Sequence, residues 1–325
     1  MAITLIGDFK IYQEEFNSGM YEKEAQMIDL FNTASLGSLQ LATTRKRGEY
    51  EKSSFFKKLS STITRRDLTS TAAVPAIKMV QDEKVNVKLN KKFGPVDSTY
   101  EPFRMQGKEA ESEFSFLLGQ EFAQAKVANQ VNTLISALVA GFTNIGLPLV
   151  YDGTASTPTH TGLVEIMSKM GDRSQDIVAW VMHSKSYFDL MKKAITDKVF
   201  EVAGVIINMG TMATLGKPVI VTDSPDLINV TPDPDEYSIL GLQAGAAIAE
   251  DQDDGNMVLD VVTGLEQIVM RMQGEFNYNI GVKGLAWDIA NGGSNPTDAA
   301  IATAGNWDQV VTSVKDCAGA MGNFQ

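Results

Sequence analysis

Residues 109–142 carry the strongest folding signal in the chain. Apolar or small side chains recur there at steps of three or four residues: Phe114, Leu118, Phe122, Ala125, Ala128, Val131, Ile135, Leu138 and Phe142. Such steps place all of these side chains on one face of an α-helix. Three glutamates in the first turns favour a helix start there, because the helix dipole attracts negative charge. The spacing predicts one helix about 50 Å long, with a bend at Gly119.

The segments around this helix predict a chain with both helices and strands. Further helices are predicted at 19–36, at 159–170 and after Ser184, whose side chain is expected to cap the helix. Strands are predicted at 84–93, 177–182, 205–208, 217–224, 238–250, 257–263, 265–282 and 283–289. The sequence DQDDGN at 251–256 predicts a hairpin turn, because an Asp-Gly pair favours such turns. The segment after Gly292 is expected to be a soft tail with Trp307 as its anchor.

Charge is distributed unevenly along the chain. Residues 45–108 hold 15 basic and 7 acidic side chains, whereas residues 218–325 hold 3 basic and 16 acidic side chains. The basic stretch could bind nucleic acid, pair with the acidic part of a neighbouring copy, or form a solvated face of one subunit. The overall charge of −12 argues against a mainly electrostatic grip on nucleic acid.

The sequence contains no recognised catalytic motif. A phosphate-binding loop, a dinucleotide fingerprint, a nucleophile elbow and a zinc-protease motif are all missing from it. The single cysteine, Cys317, cannot form an internal disulfide, and two histidines leave little material for a metal site. His183 lies where a predicted strand meets a helix, but a structural role is favoured for it. No apolar run reaches the length of a membrane span. We therefore predict no catalytic, cofactor-binding or metal-binding residue.

The order of the segments resembles that of the major capsid proteins of tailed bacteriophages, which share the Hong Kong 97 fold. The likeness begins with the N-terminal arm and with the basic, β-leaning stretch before the long helix. It continues with IVAWVMHSKSYFDLMKKA at 177–194 and TLGKPVIVTDSPDL at 214–227. It is completed by SILGLQAGAAIAE at 238–250, by the long strand from Arg271 towards Trp287, and by the tail NPTDAAIATAGNWDQV.

The resemblance implies an α+β fold of the Hong Kong 97 type, built from six segments. These are an N-terminal arm (1–44), an extended β-loop with peripheral-domain strands (45–104), a spine helix with a linker (105–158), an α/β axial domain (159–263), return strands (264–292) and a C-terminal tail (293–325). It also implies that the basic stretch contacts a neighbouring subunit. The candidate contact residues are Arg45, Lys46, Arg47, Lys57, Lys58, Arg65 and Arg66.

The function implied by the resemblance is self-assembly, as hexamers and pentamers, into an icosahedral shell that encloses phage double-stranded DNA. The protein would assemble in the host cytoplasm and reside in the virion, without enzyme activity, a cofactor or a membrane. Expected partners are further copies, a separate scaffolding protein, a portal and a decoration protein, and the DNA would be enclosed without sequence-specific binding. Reversing the charges of Lys57, Lys58, Arg65 and Arg66 together is expected to block assembly and leave a folded monomer.

Two alternatives stay open at this point. One is an encapsulin-like cellular compartment shell of the same fold, which would enclose a cargo protein instead of DNA. The other is a cytosolic α/β enzyme that uses the region 159–263, with His183 near its site. This enzyme reading gives no purpose to the long basic stretch.

Overall fold

The computed structural model describes residues 6–43, 48–59, 62–99, 101, 110–197, 200–202, 205–207, 214–231, 233–252, 256–264 and 266–325. Its helices are α1 Ile6–Ala34, α2 Ala110–Ile145, α3 His160–Lys169, α4 Ser184–Asp197, α5 Ile289–Gly292 and α6 Asp298–Ile301. Its strands are β1 Leu39–Thr43, β2 Tyr50–Phe56, β3 Gln81–Thr99, β4 Val150–Gly153, β5 Ile177–Met182, β6 Phe200–Val202, β7 Val205–Ile207, β8 Val219–Val221, β9 Ile228–Asn229, β10 Glu236–Gln243, β11 Ala247–Asp251, β12 Asn256–Val262, β13 Val269–Val282, β14 Leu285–Trp287, β15 Trp307–Gln309 and β16 Gly319–Phe324.

The predicted long helix is confirmed as α2, which has 36 residues. Its apolar face is fully buried at Leu134, Ile135 and Leu138. The helix ends at Gly146, whose N–H donates to the carbonyl oxygen of Phe142 at 2.9 Å. Gly146 has a φ of +70°, a left-handed conformation that glycine adopts without strain. Because α2 contacts strands of both large sheets, it joins the two halves of the fold.

The N-terminal helix α1 extends well before the predicted 19–36 and crosses α2 at two glycines. A Cβ on Gly119 would lie 2.5 Å from the carbonyl oxygen of Phe16, and a Cβ on Gly19 would lie 2.8 Å from that of Phe116. Only residues without a side chain allow the two backbones to come so close. Helix α2 continues through Gly119 as one helix, and the bend expected at this residue stays a prediction.

The first sheet is organised around the long strand β13. Its strand order is β1-β11-β13-β3-β2, and β12 also pairs with β13. Residues 247–251 pair with 278–282, and residues 256–262 pair with 269–275. Strands β11 and β12 therefore follow one another along the same edge of β13.

The predicted hairpin at 251–256 is wrong, because the two flanking strands do not pair with each other. Residues 253–255 lie outside the described residues, but the registers on both sides settle the pairing. An Asp-Gly pair is only a local turn signal. Here the 14-residue strand β13 offers enough edge to bind both strands in line.

The second sheet has the strand order β4-β16-β10-β5-β8, with β9 beside β10. Strand β5 matches the predicted strand 177–182 at both ends. Strand β16 runs parallel to β4 and antiparallel to β10, so it is an interior strand of this sheet. The segment expected to be a soft tail thus completes the second sheet.

The burial of the C-terminal segment follows from its small residues. A Cβ on Gly322 would lie 2.6 Å from the side chain of Ile166, so the glycine lets α3 pack closely on β16. Trp307 is fully buried, with its ring centroid 5.1 Å from that of Trp287 in a T-shaped arrangement. Its indole N–H donates to the carbonyl oxygen of Ile301 at 2.9 Å. The small residues of this segment, which predicted a loose tail, instead allow it to pack closely against the rest of the fold.

Candidate assembly surface

Strands β2 and β3 form an antiparallel hairpin with a long connection. The ladder extends from the pair Tyr50–Val87 to the pair Phe56–Gln81. The alternation predicted for 84–93 is confirmed, because the valines and the leucine of this segment are buried. One more hydrogen bond, from the N–H of Lys57 to the carbonyl oxygen of Val80, closes the ladder at 2.9 Å.

Beyond that bond lies an exposed segment, residues 62–80, which we call the arm loop. Every residue of the arm loop is exposed, and none belongs to a helix or strand. The loop nevertheless carries large apolar side chains: Ile63, Leu68 and Val74 are 94%, 82% and 85% exposed. Connections of this length without regular structure are uncommon in compact domains and usually carry a function. A partner that covers this loop would remove these side chains from water.

Two of the predicted contact residues have partners within the same chain. Nζ of Lys57 lies 2.7 Å from the carboxylate of Asp82, and Nζ of Lys58 lies 2.8 Å from that of Asp316. The hydrogen bond from Lys57 lowers the pKa of Asp82, and the one from Lys58 lowers the pKa of Asp316. Arg173 pairs with the same carboxylate of Asp316. The ion pair of Lys58 therefore connects the base of the arm loop to the C-terminal part of the chain.

The other predicted contact residues differ in position. Arg65 and Arg66 are exposed on the arm loop, and no ion pair joins either of them to a carboxylate of a described residue. Arg45, Lys46 and Arg47 lie outside the described residues. The two loop arginines are therefore the predicted residues that remain available for a partner.

His183 occupies the helix-capping position that was predicted for Ser184. Nδ1 of His183 accepts from the N–H of Lys185 at 3.1 Å, so the imidazole caps the first turn of α4. Nε2 lies 3.4 Å from the exposed carboxylate of Asp223. A hydrogen bond from Ser184 lowers the pKa of Asp223. These contacts give His183 a structural role at the start of α4.

The lone cysteine, possible metal ligands and possible membrane spans are three further features that bear on function. Cys317 is fully buried, and burial raises the pKa of its thiol to about 12. Among the described residues, no group of three or more His, Cys, Asp or Glu side chains could hold a metal ion. None of the described helices is long and apolar enough to cross a membrane.

Comparison with known proteins places the chain in a family. The model of the Gp13-like family, described as major capsid protein 13-like, matches residues 8–321. The chain belongs to this family of major capsid proteins. A search of curated proteins finds no match.

Solved structures show the same fold at low sequence identity. The chain is similar to a structure from Microbacterium phage Oxtober96, with 12% identity and a TM-score of 0.50, over 90% of this chain and 91% of that chain. It is also similar to the capsid asymmetric unit of cyanophage Pam1, with 10% identity and a TM-score of 0.50, over 88% of both chains. The predicted α+β fold of the Hong Kong 97 type is thereby confirmed.

The capsid family settles the broad function of the chain. This Gp13-like protein is a structural protein of a capsid shell, and the match does not favour a cellular compartment shell. Sequence analysis missed the apolar part of the arm loop, because Ile63, Leu68 and Val74 are scattered among polar residues without a helix or strand period. Only their exposure in the folded chain reveals them as a surface.

Proposed function

We propose that this chain self-assembles as hexamers and pentamers into an icosahedral shell around phage double-stranded DNA, with each arm loop lying over a neighbouring copy. The exposure of the whole segment 62–80 carries this proposal. Burying a large apolar side chain contributes about 1.5–3 kcal/mol. The arm loop presents six such side chains, and a second copy can bury what a single copy leaves in water: Ile63, Leu68, Val74, Ile77, Met79 and Val80.

Charge supports the same contact. In the sequence, Arg65 and Arg66 lie between the exposed Ile63 and Leu68, whereas residues 218–325 carry a net charge of −13. Opposite potentials on two surfaces steer their encounter and fix their register. Rings built from head-to-tail contacts of this kind close by rotation, as hexamers and pentamers require.

The two sheets suggest how the subunit is divided. We assign the first sheet and α2 to the peripheral domain, and the second sheet with α3 and α4 to the axial domain. On this assignment the axial domain ends near residue 244, because β11 and β12 pair in the first sheet. It also includes the C-terminal strand β16, which lies between β4 and β10.

The proposal includes partners that act during assembly in the host cytoplasm. A separate scaffolding protein, a portal and a decoration protein are its expected components, and the DNA is held without sequence-specific contacts. Nuclease treatment of purified particles, followed by extraction of their contents, tests this part. Protected double-stranded DNA supports the phage shell, whereas a packaged cargo protein without DNA supports the encapsulin-like alternative.

The arm-loop contact is tested by the double variant R65E/R66E. Because neither arginine pairs with a described carboxylate of its own chain, the variant is expected to fold normally and to lose assembly. Light scattering measures the mass of the purified chain, and negative-stain microscopy shows the particles. Wild type is expected to form capsomers or shells, whereas the variant stays near 35.3 kDa.

The control is the double variant K185E/K192E, which makes the same charge change on the exposed surface of α4. Both lysines are exposed and pair with Asp189, and Nζ of Lys185 also lies 4.3 Å from the ring centroid of Tyr237; exposed contacts of this kind contribute little stability. Circular dichroism checks that all variants are folded. If R65E/R66E formed normal shells, the proposed role of the loop charges would be refuted. If the wild-type protein stayed monomeric at every concentration, with or without scaffold, the proposed shell would be refuted.

A further inference from the structure

A buried charge cluster joins α1 to the rest of the fold. Nζ of Lys126, on α2, lies 2.8 Å from the carboxylate of Glu24 on α1 and 2.8 Å from that of Asp251 on β11. The three side chains are 5%, 9% and 4% exposed. Gln130 donates from its amide to Asp251 at 2.7 Å. Such a cluster is costly to desolvate and holds α1 in one defined position.

The cluster contains two carboxylates and only one ammonium group. Thr43 and Tyr21 line the small cavity beside it, and Tyr278 of β13 lies close enough for its pKa to be raised, mainly by burial and partly by Asp251. Among the described residues, Lys126 is thus the one cation that faces the two acids. A buried excess of negative charge favours the uptake of one proton.

The proton is expected on Asp251. Burial raises the pKa of Asp251, Lys126 opposes this effect and Glu24 adds to it, and together they bring the pKa to about 6. For Lys126, burial lowers the pKa, but the charges of Asp251 and Glu24 outweigh this effect and raise it. The cluster therefore keeps its ammonium charge and exchanges a proton at a carboxylate.

We propose that the cluster of Glu24, Lys126 and Asp251 is a proton-linked latch, which binds α1 to α2 more tightly when one proton is taken up. When α1 leaves, Glu24 is removed and Asp251 meets water, so the proton is released. Departure of α1 also uncovers Phe16 and Met20, each of which is 1% exposed while α1 is docked. The latch thus couples pH to the position of the N-terminal arm.

The direction of the pH effect follows from linkage. An acid whose pKa is higher in the docked state stabilises that state at low pH, and this stabilisation is lost as the pH rises through the docked value. With a pKa of about 6 docked and an ordinary value of 3.8 undocked, docking is about tenfold more favourable at pH 5 than at pH 7.5.

Hydrogen exchange measured by mass spectrometry on the unassembled full chain tests the latch. Peptides of α1 report its local opening, after correction for the intrinsic pH dependence of exchange. We expect about tenfold more protection at pH 5 than at pH 7.5 in the wild type. The variant D251N imitates the protonated carboxyl, so its α1 is expected to be equally protected at both pH values.

Two further variants complete the test. E24Q removes the second acid and its contribution to the raised pKa of Asp251, so the pH dependence between pH 5 and pH 7.5 is expected to fall well below tenfold; this variant decides the matter if D251N does not fold. E22Q, an exposed change on the same helix, is expected to keep the wild-type dependence. The latch would be overturned if the protection of wild-type α1 from hydrogen exchange were the same at pH 5 and pH 7.5. It would also be overturned if the tenfold pH dependence of this protection persisted in D251N or E24Q.

Discussion

The close contact between α1 and α2 at Gly119 predicts that replacing this glycine by alanine destabilises the fold. In G119A the added Cβ would lie 2.5 Å from the carbonyl oxygen of Phe16 and 3.4 Å from the amide nitrogen of Met20. Both are backbone atoms, so no side-chain rotation can relieve the clash. The helix α1 must therefore move away from α2.

The magnitude depends on how much packing α1 loses. Phe16 and Met20 are each 1% exposed, and full burial of such a side chain contributes about 1.5–3 kcal/mol. Alanine is a better helix former than glycine by about 1 kcal/mol, which offsets part of the loss. The free energy of unfolding is therefore expected to fall by about 2–5 kcal/mol.

Urea unfolding of the unassembled protein, followed by circular dichroism, measures this change. The control is Q124A, an exposed position of the same helix, where alanine adds propensity without a clash. It is expected to leave stability unchanged or slightly increased. If G119A were as stable as Q124A, the backbone contact between the two helices would not be the reason for glycine at this position.

Two further predictions concern buried side chains. W307A removes a fully buried ring that packs on Trp287, and thermal unfolding is expected to show a loss of about 3–5 kcal/mol; a loss below 1 kcal/mol would contradict the packing described. Y278F removes the hydroxyl that bonds to Thr133 at 2.9 Å and donates to Asn129 at 2.7 Å. Because it takes this donor away from the amide oxygen of Asn129, it should cost about 1–3 kcal/mol in urea unfolding, whereas an unchanged midpoint would refute this.

The sequence predicted those helices and strands correctly whose own residues carry a long, regular apolar pattern. The apolar period of α2 is unbroken over about eight turns, from Phe114 to Phe142, and β5 is a continuous apolar run, so both were placed within three residues. Helix α1 was placed only in part. Helices in proteins gain most of their stability from packing on a partner, and the contact at Gly19 is invisible in a local pattern.

The remaining features depend on residues that are far apart in the chain. Lys58 and Asp316 form an ion pair across most of the sequence, and no spacing rule connects them. The same holds for Glu24, Lys126 and Asp251, which come from three different elements. The charge pattern indicated a contact surface, but it could not separate the lysines that pair within the chain from the arginines that pair with no described carboxylate.

The interior position of β16 has a consequence for how the protein is made. This strand pairs Met321 with Val150 of β4 and with Leu240 of β10, so the second sheet lacks a middle strand until residue 324 has left the ribosome. Contacts between residues so distant in sequence form slowly during folding. The β2–β3 hairpin, by contrast, is complete after the first hundred residues. A growing chain can therefore present its arm loop before β16 has joined the second sheet.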